Sequence, residues 1–296
     1  MDTPETTLRS YESPHLRVRE RLRVLAAHRE VLANLIRKEL KVKYAASVLG
    51  AVWSLLNPLV YLAVFTFVTK VLKSNIPNYP VYLLSGLLAW NLFSAAVSTG
   101  SRSVIDNANL VKKIAFPREI LPLSSIGVAL VDFLLQMGVF LLFMLVTGYG
   151  VRLPELALLP LAFVALMAFT TMLTMLLSAM NVRYRDVGHL LGIALLVWFW
   201  ITPIVYASGL VQQELGSPDV FAMGRPLLYF SNPLTPIVEG MHRALYNTAD
   251  APGVLYDVSL VWLALTLTVV VVVSLVLLRF TWWYFFSRSG DFAEEL

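Results

Sequence analysis

Lys41, Lys43 and Tyr44 stand where a basic amphipathic stretch runs into an apolar one, in the run KVKYAASVLGAVWSLLNP from Lys41 to Pro58. Two ammonium groups at such a join place cationic charge at the depth of lipid headgroups. Each is a point charge without the guanidinium fork, so the pair attracts an anion without bidentate geometry. Upstream, Val31, Leu32, Leu35, Ile36 and Leu40 recur at helical spacing, while Arg37, Lys38 and Lys41 take the other face. That pattern predicts an amphipathic helix over residues 28–44 lying in a membrane surface. Asn57-Pro58 interrupts the apolar span that follows.

Other chemistry is sparse. None of the fifteen glycines is followed by Lys, which excludes a GxxxxGK[ST] phosphate loop and with it an ATPase site in this chain. HExxH and GxSxG are absent, and His15, His28, His189 and His242 are scattered, so no metal cluster or nucleophile-base pair is expected. Asp132 is the only ionisable residue deep inside an apolar run, with Gln136 one turn later on the same face. One carboxylate does not establish proton coupling; a functional site and a structural hydrogen bond are both open readings. Aromatics recur instead: Trp53, Tyr61, Phe65 and Phe67 in one run, Trp90 and Phe93 in a second, Trp198, Phe199 and Trp200 in a third. Sugar rings stack their C–H faces on such surfaces, so Tyr61, Phe65, Trp90, Phe93, Trp198 and Trp200 are candidate pathway residues. Packing between helices and anchoring at headgroups are the competing roles.

The elements that must position these residues are membrane spans. The chain is 58% hydrophobic and 14% charged, against roughly 25% charged in a soluble domain; its mean hydropathy is +0.71. Cysteine is absent, which removes disulfides and thiolate sites. Six apolar runs approach the roughly 20 residues needed to cross a bilayer: residues 48–70, 80–100, 120–147, 156–180, 188–207 and 257–280. Eighteen of the 23 Lys and Arg fall in residues 1–47, 101–119, 181–187 and from Arg279 onward. That asymmetry places both termini and those two loops in the cytoplasm. The first 27 residues lack an apolar signal region and are expected to remain there as a tail. Trp282 to Phe286, after the sixth run and before Arg288, read as an aromatic belt at the start of a cytoplasmic C-terminal tail, residues 281–296.

Two connecting segments stand out. NANLVKKIAFPREILP carries Leu110, Val111, Lys112, Lys113, Ile114 and Phe116 as a small amphipathic knob, suited to a groove on a partner or equally to an ordinary charged loop. Between the fifth and sixth runs, Pro226 to Val238 is apolar, too short to cross and broken by Pro226, Pro233 and Pro236. It is a candidate re-entrant hairpin; a folded external loop with an amphipathic helix from Leu234 to Tyr246 is the alternative.

With these residues in place the chain resembles the membrane subunit of ABC-2 type transporters, in the polysaccharide-exporting branch of Wzm-like O-antigen and TagG-like teichoic acid permeases. The likeness runs over nearly the whole chain after about residue 28. It is carried by the basic-x-basic-Tyr opening with Leu49-Gly50, Trp53 and Pro58, by NLVKKIAFPREILPL, by NxRYRD (Asn181 to Asp186) and by YFSNPLTP (Tyr229 to Pro236). Arg-rich usage and the tail resemble an actinobacterial exporter of a lipid-linked cell-wall galactan. The resemblance implies an all-α integral membrane protein of the bacterial cytoplasmic membrane, with six transmembrane helices over residues 45–280. It also implies an N-terminal cytoplasmic interface helix, short re-entrant gate helices within about 207–256, and both termini cytoplasmic. Partners would be a second copy, two copies of a Wzt-like cytoplasmic ATPase that carries the ATP and Mg, a polyprenyl-pyrophosphate-linked polysaccharide, and membrane lipids; no nucleic acid is implied. No cofactor is implied in this chain itself. Residues 107–117 would form the coupling helix, the Lys41 to Tyr44 turn would meet the lipid pyrophosphate, and Tyr229, Phe230, Pro233 and Pro236 would belong to the external gate. A small hydrophobic drug or lipid as cargo is the alternative within the family, and a membrane glycosyl or acyl transferase the alternative outside it.

Overall fold

The computed structural model describes residues 18–45, 50, 53–71, 76–114, 116–215, 229–248 and 251–296. Among the described residues the regular structure is helical throughout, without strands. In chain order the helices are α1 (Val18–Ala27), α2 (Arg29–Tyr44), α3 (Trp53–Val71), α4 (Tyr79–Asp106), α5 (Ala108–Lys113), α6 (Ile120–Thr147) and α7 (Leu153–Leu156), then α8 (Leu158–Arg183), α9 (Val187–Ile201), α10 (Ser208–Leu215), α11 (Leu234–Leu245), α12 (Leu260–Ser289) and α13 (Phe292–Glu295). α4, α6, α12 and the continuous α7–α8 stretch are long and apolar enough to cross a membrane. The apolar part of α3 (Pro58–Val68) and α9 are shorter.

α4 is the centre of the bundle. α6 and α8 pack along it, α12 packs on α8, and α2 lies against α6. Apolar area alone does not select partners in lipid, so close approach at small residues has to do so. A Cβ on Gly100 of α4 would run into Thr174 of α8, and one on Gly127 of α6 would run into Ile36 of α2. A second buried cluster closes the Asp106 end of α4: Leu35, Val104, Val111, Ile120, Leu121, Met175, Val182, Phe285 and Phe292 come from seven different helices.

Two sequence expectations change here. The fifth apolar run, expected over 188–207, is helical only to Ile201. Thr202 is extended (φ −88°, ψ 136°) because the ring of Pro203 disfavours helical backbone in the residue before it. Residues 202–205 and 207–208 stay buried after the helix stops. Within residues 281–296, α12 continues to Ser289, since nothing between Leu260 and Ser289 breaks a helix, and α13 folds back against α5 and α8. Phe285 and Phe292 are both fully buried, edge to face with centroids 5.3 Å apart. Of the expected aromatic belt, Phe285 and Phe286 therefore pack inward, while Trp283 remains 58% exposed.

Candidate functional site

α2 delivers Lys43 and Tyr44 onto Asp132 of α6. Lys43 Nζ lies 2.5 Å from Asp132 Oδ2, and the Tyr44 hydroxyl donates to Oδ1 at 2.6 Å. Asp132 is 7% exposed, whereas the Lys43 side chain keeps 43% of its surface. A carboxylate within an apolar helix needs such partners, because isolation would leave an uncompensated charge in low dielectric. Gln136 turns elsewhere and accepts from Asn91 Nδ2 at 3.0 Å. One turn before Lys43, Glu39 accepts from the Ser124 hydroxyl at 3.0 Å. Burial pushes the Glu39 carboxyl above its ordinary range, and the Ser124 bond pulls it back in part. Lys41 is exposed.

The expected 107–117 segment contains a helix of six residues, α5. Ile114 is extended (φ −128°, ψ 131°), and Ala115 lies outside the described residues. Val111 is buried, and Leu110 and Phe116 pack against the cluster at the Asp106 end of α4. Lys112, Lys113 and Ile114 are exposed. The six residues therefore divide: three fasten the segment to the bundle and three face outward. Asn181 of the NxRYRD motif fastens the neighbouring loop, donating to Ser101 O at 3.0 Å and accepting from Gly188 N at 3.2 Å.

The candidate pathway aromatics meet in one continuous ladder. Tyr61 stacks on Phe65 and touches Phe199; Phe65 meets Trp200 edge-on; Phe199 meets Trp90. Trp90 leads to Phe93, and Phe93 packs on Phe169 and Trp198. Position along the ladder separates the members. Phe93 has no exposed surface and Trp90 keeps 8%, so these two are the wall's interior. Tyr61 and Phe65 are half-buried and Trp200 is 55% exposed, so these three form the accessible side. Nothing is described of the side chain of Trp53.

The segment around YFSNPLTP reaches the buried end of that ladder. Trp198 Nε1 donates to Asn232 Oδ1 at 2.7 Å, and Asn232 Nδ2 donates to Thr202 Oγ1 at 3.1 Å. Trp198 sits edge-on to Phe93, about 21 Å along α4 from Tyr79 at 1.5 Å per residue. From that depth α11 returns to the Tyr79 end, where the Tyr246 hydroxyl donates to Pro77 O at 2.6 Å. α11 is buried over most of its circumference, including Pro236, Glu239 and His242. Pro233 precedes it half-buried, Phe230 is 7% exposed, and Tyr229 stacks on Tyr256. Residues 226–228 of the expected hairpin lie outside the described residues.

His242 ties three strands of chain together at that level. Its ring stacks on Tyr82 with centroids 4.1 Å apart. Nε2 donates to Pro203 O at 3.0 Å, leaving Nδ1 to face Ser85 Oγ at 2.8 Å. Gly86 makes room, since a Cβ there would stand 2.8 Å from His242 Cε1. Tyr79 and Tyr82 donate to the carbonyls of Val205 and Tyr206. Backbone that leaves helical form at the depth of a span needs such protein donors, because lipid supplies none. Sequence reading passed over Ser85, Tyr82, Asn232 and His242; a polar side chain within an otherwise apolar run was the available signal.

Residues 30–246 match the family profile described as ABC-2 type transporter. The chain is 32% identical over 278 residues to an O-antigen export system permease protein of Myxococcus xanthus, covering 93% of this chain and 98% of that one. A permease of the same description from Klebsiella pneumoniae is 33% identical over 186 residues, 62% of this chain and 72% of its own length. The polysialic acid transport protein of Escherichia coli is 24% identical over 251 residues, 82% of this chain and 90% of its own.

Proposed function

This chain belongs to the ABC-2 type transporter family, and from that premise we propose that it is the permease of an ATP-driven exporter of lipid-linked polysaccharide. It is a transport subunit, with hydrolysis assigned to a separate ATPase that brings the ATP and Mg. The cargo reading rests first on the near full-length likeness to an O-antigen export permease. The aromatic ladder supports it: Tyr61, Phe65 and Trp200 offer ring faces suited to sugars and ill-suited to small ions. A single copy leaves that side open, and a second copy related by two-fold symmetry, the commonest arrangement of homo-oligomers, would close it. Six spans would follow if α3 and α9 cross together with the four longer helices.

The geometry supports the remaining roles. With the Asp106 end of α4 cytoplasmic, as the Lys and Arg distribution predicts, Lys112, Lys113 and Ile114 are the face of α5 offered to the ATPase. Leu110, Val111 and Phe116 pass its motion to the bundle. A hydrocarbon core about 30 Å thick that ends at Thr147 would begin about 10.5 Å from Ile120, leaving Asp132 about 7.5 Å inside the cytoplasmic boundary. Lys43 can reach headgroups from there on its flexible stem. Lys41, Lys43 and Tyr44 are then the entrance for a polyprenyl pyrophosphate, and α11 with Tyr229, Phe230, Pro233 and Pro236 is the re-entrant external gate. Its dip to the Phe93 level and back, rather than a loop lying outside, is what favours that reading.

Depletion tests the proposal. Cells losing this chain are expected to accumulate lipid-linked glycan on the cytoplasmic side, and affinity-purified permease should bring an ABC ATPase with it. Unchanged glycan together with new sensitivity to a hydrophobic drug would overturn the cargo.

A further inference from the structure

We propose that Asp132 sets the headgroup specificity of the entrance: it holds Lys43 against singly charged phosphodiester lipids and gives it up to a doubly charged diphosphate. The inference rests on the entrance reading of Lys41 to Tyr44 given above. A bacterial membrane surface is crowded with anionic phospholipids, and a bare ammonium at headgroup depth would collect them. Asp132 removes that hazard. Its carboxylate carries one charge, as a phosphodiester does, but it is already positioned at 2.5 Å from Nζ and shielded to 7% exposure. A phospholipid would have to lose freedom to replace it and would gain no extra charge.

A diphosphate differs in kind. It brings two charges to the same ammonium, twice the charge of the carboxylate that competes for it. Lys43 is able to leave because 43% of its side chain is already open. Asp132 tolerates the departure because the Tyr44 hydroxyl still donates to Oδ1. Neighbouring polar groups do not take over the carboxylate's role: Glu39 is held by Ser124 and Gln136 accepts from Asn91. Tyr44 is thus a positioning residue that steadies Asp132 while the cation is lent to substrate.

The test uses the full permease–ATPase complex in nanodiscs of phosphatidylcholine, titrated with either phosphatidylglycerol or a polyprenyl diphosphate, with bound lipid read by native mass spectrometry. Wild type is expected to prefer the diphosphate. Asp132→Asn should tighten phosphatidylglycerol binding about five-fold, the worth of one freed lysine against an anionic lipid, while diphosphate binding changes less. An unchanged ratio of the two affinities in Asp132→Asn overturns the role of Asp132 and leaves the entrance reading standing. Wild-type complex that binds neither lipid better than phosphatidylcholine overturns both. Tyr44→Phe gives an independent check that keeps both charges: it should weaken the diphosphate about three-fold, on the scale of one hydrogen bond, and leave phosphatidylglycerol alone. Equal diphosphate binding in Tyr44→Phe and wild type counts against the proposal as well.

Discussion

The α2–α6 contact and the α11 hairpin hold two halves of the bundle by opposite means. α2 is fastened to α6 through one half-exposed lysine on one carboxylate, a tyrosine, and the Glu39–Ser124 bond. α11 is fastened to α4, α9 and the 202–208 segment through groups that are almost wholly enclosed: His242, Ser85, Tyr82 and Thr202 have no exposed surface. Only one member of that pair is half exposed: Lys43 can exchange partners at the surface, while the buried Asp132 keeps the Tyr44 hydroxyl. Buried neutral hydrogen bonds contribute modestly while made and are costly to leave unmade. On the proposed function, that difference suits an entrance that substrate alone can open and an external gate that opens only when the ATPase drives it.

The largest expected effect lies on the gate side. His242→Ala removes a stacked ring and two hydrogen bonds at a position with no exposed surface. Loss of that packing and of the donor to the Pro203 carbonyl together should cost about 3 kcal/mol, seen as a lower melting temperature of the purified permease and lost export. A drop smaller than that of Lys43→Ala would invert the comparison. A matched pair of glycines gives a narrower version. Gly86→Ala would press its methyl on the His242 ring and toward the Ile204 backbone, whereas Gly127→Ala meets a single aliphatic side chain, Ile36 at Cδ1 and Cγ1, and no backbone. A ring pinned by two bonds cannot give way and a flexible aliphatic end can. Gly86→Ala is therefore expected to destabilise by about 2 kcal/mol and Gly127→Ala by much less, with equal losses in thermal melting counting against a rigid gate.

How far the chain could be read without coordinates follows the same division. The third apolar run matches α6 residue for residue, and α2 matches its expected bounds to within one residue, because helical periodicity and end signals act locally. The fifth run was read too long because hydropathy continues through Ile204 and Val205 while Pro203 quietly ends the helix. Asp132 was visible as an isolated carboxylate, yet its partners lie some ninety residues earlier in the chain, and no local pattern pairs them. The candidate aromatics were legible as residue types; only packing divides Phe93 in the interior from Trp200 at the surface. Ser85 and His242 carried the weakest signal, since a lone serine and a lone histidine on apolar faces are ordinary until a third segment supplies the carbonyl between them.

The smallest expected effect concerns the tip of the hairpin. Trp198→Phe keeps an aromatic face against Phe93 and Phe169 but removes the donor to Asn232. Asn232 Oδ1 still accepts from Leu234 N at 3.1 Å, and Nδ2 still has Thr202. One bond lost from a group that keeps two others should cost about 1 kcal/mol, a shift of a few degrees in melting. Export should fall more than stability does, because the tip meets the ladder at the point where a polymer would pass from the Tyr61 and Trp200 surface to the gate. Protease accessibility of the 229–236 segment in sealed vesicles measures the same tether directly. If Trp198→Phe leaves both export and accessibility at wild-type values, the tip is held by α11 alone and the gate's rigidity resides entirely in the His242 cluster.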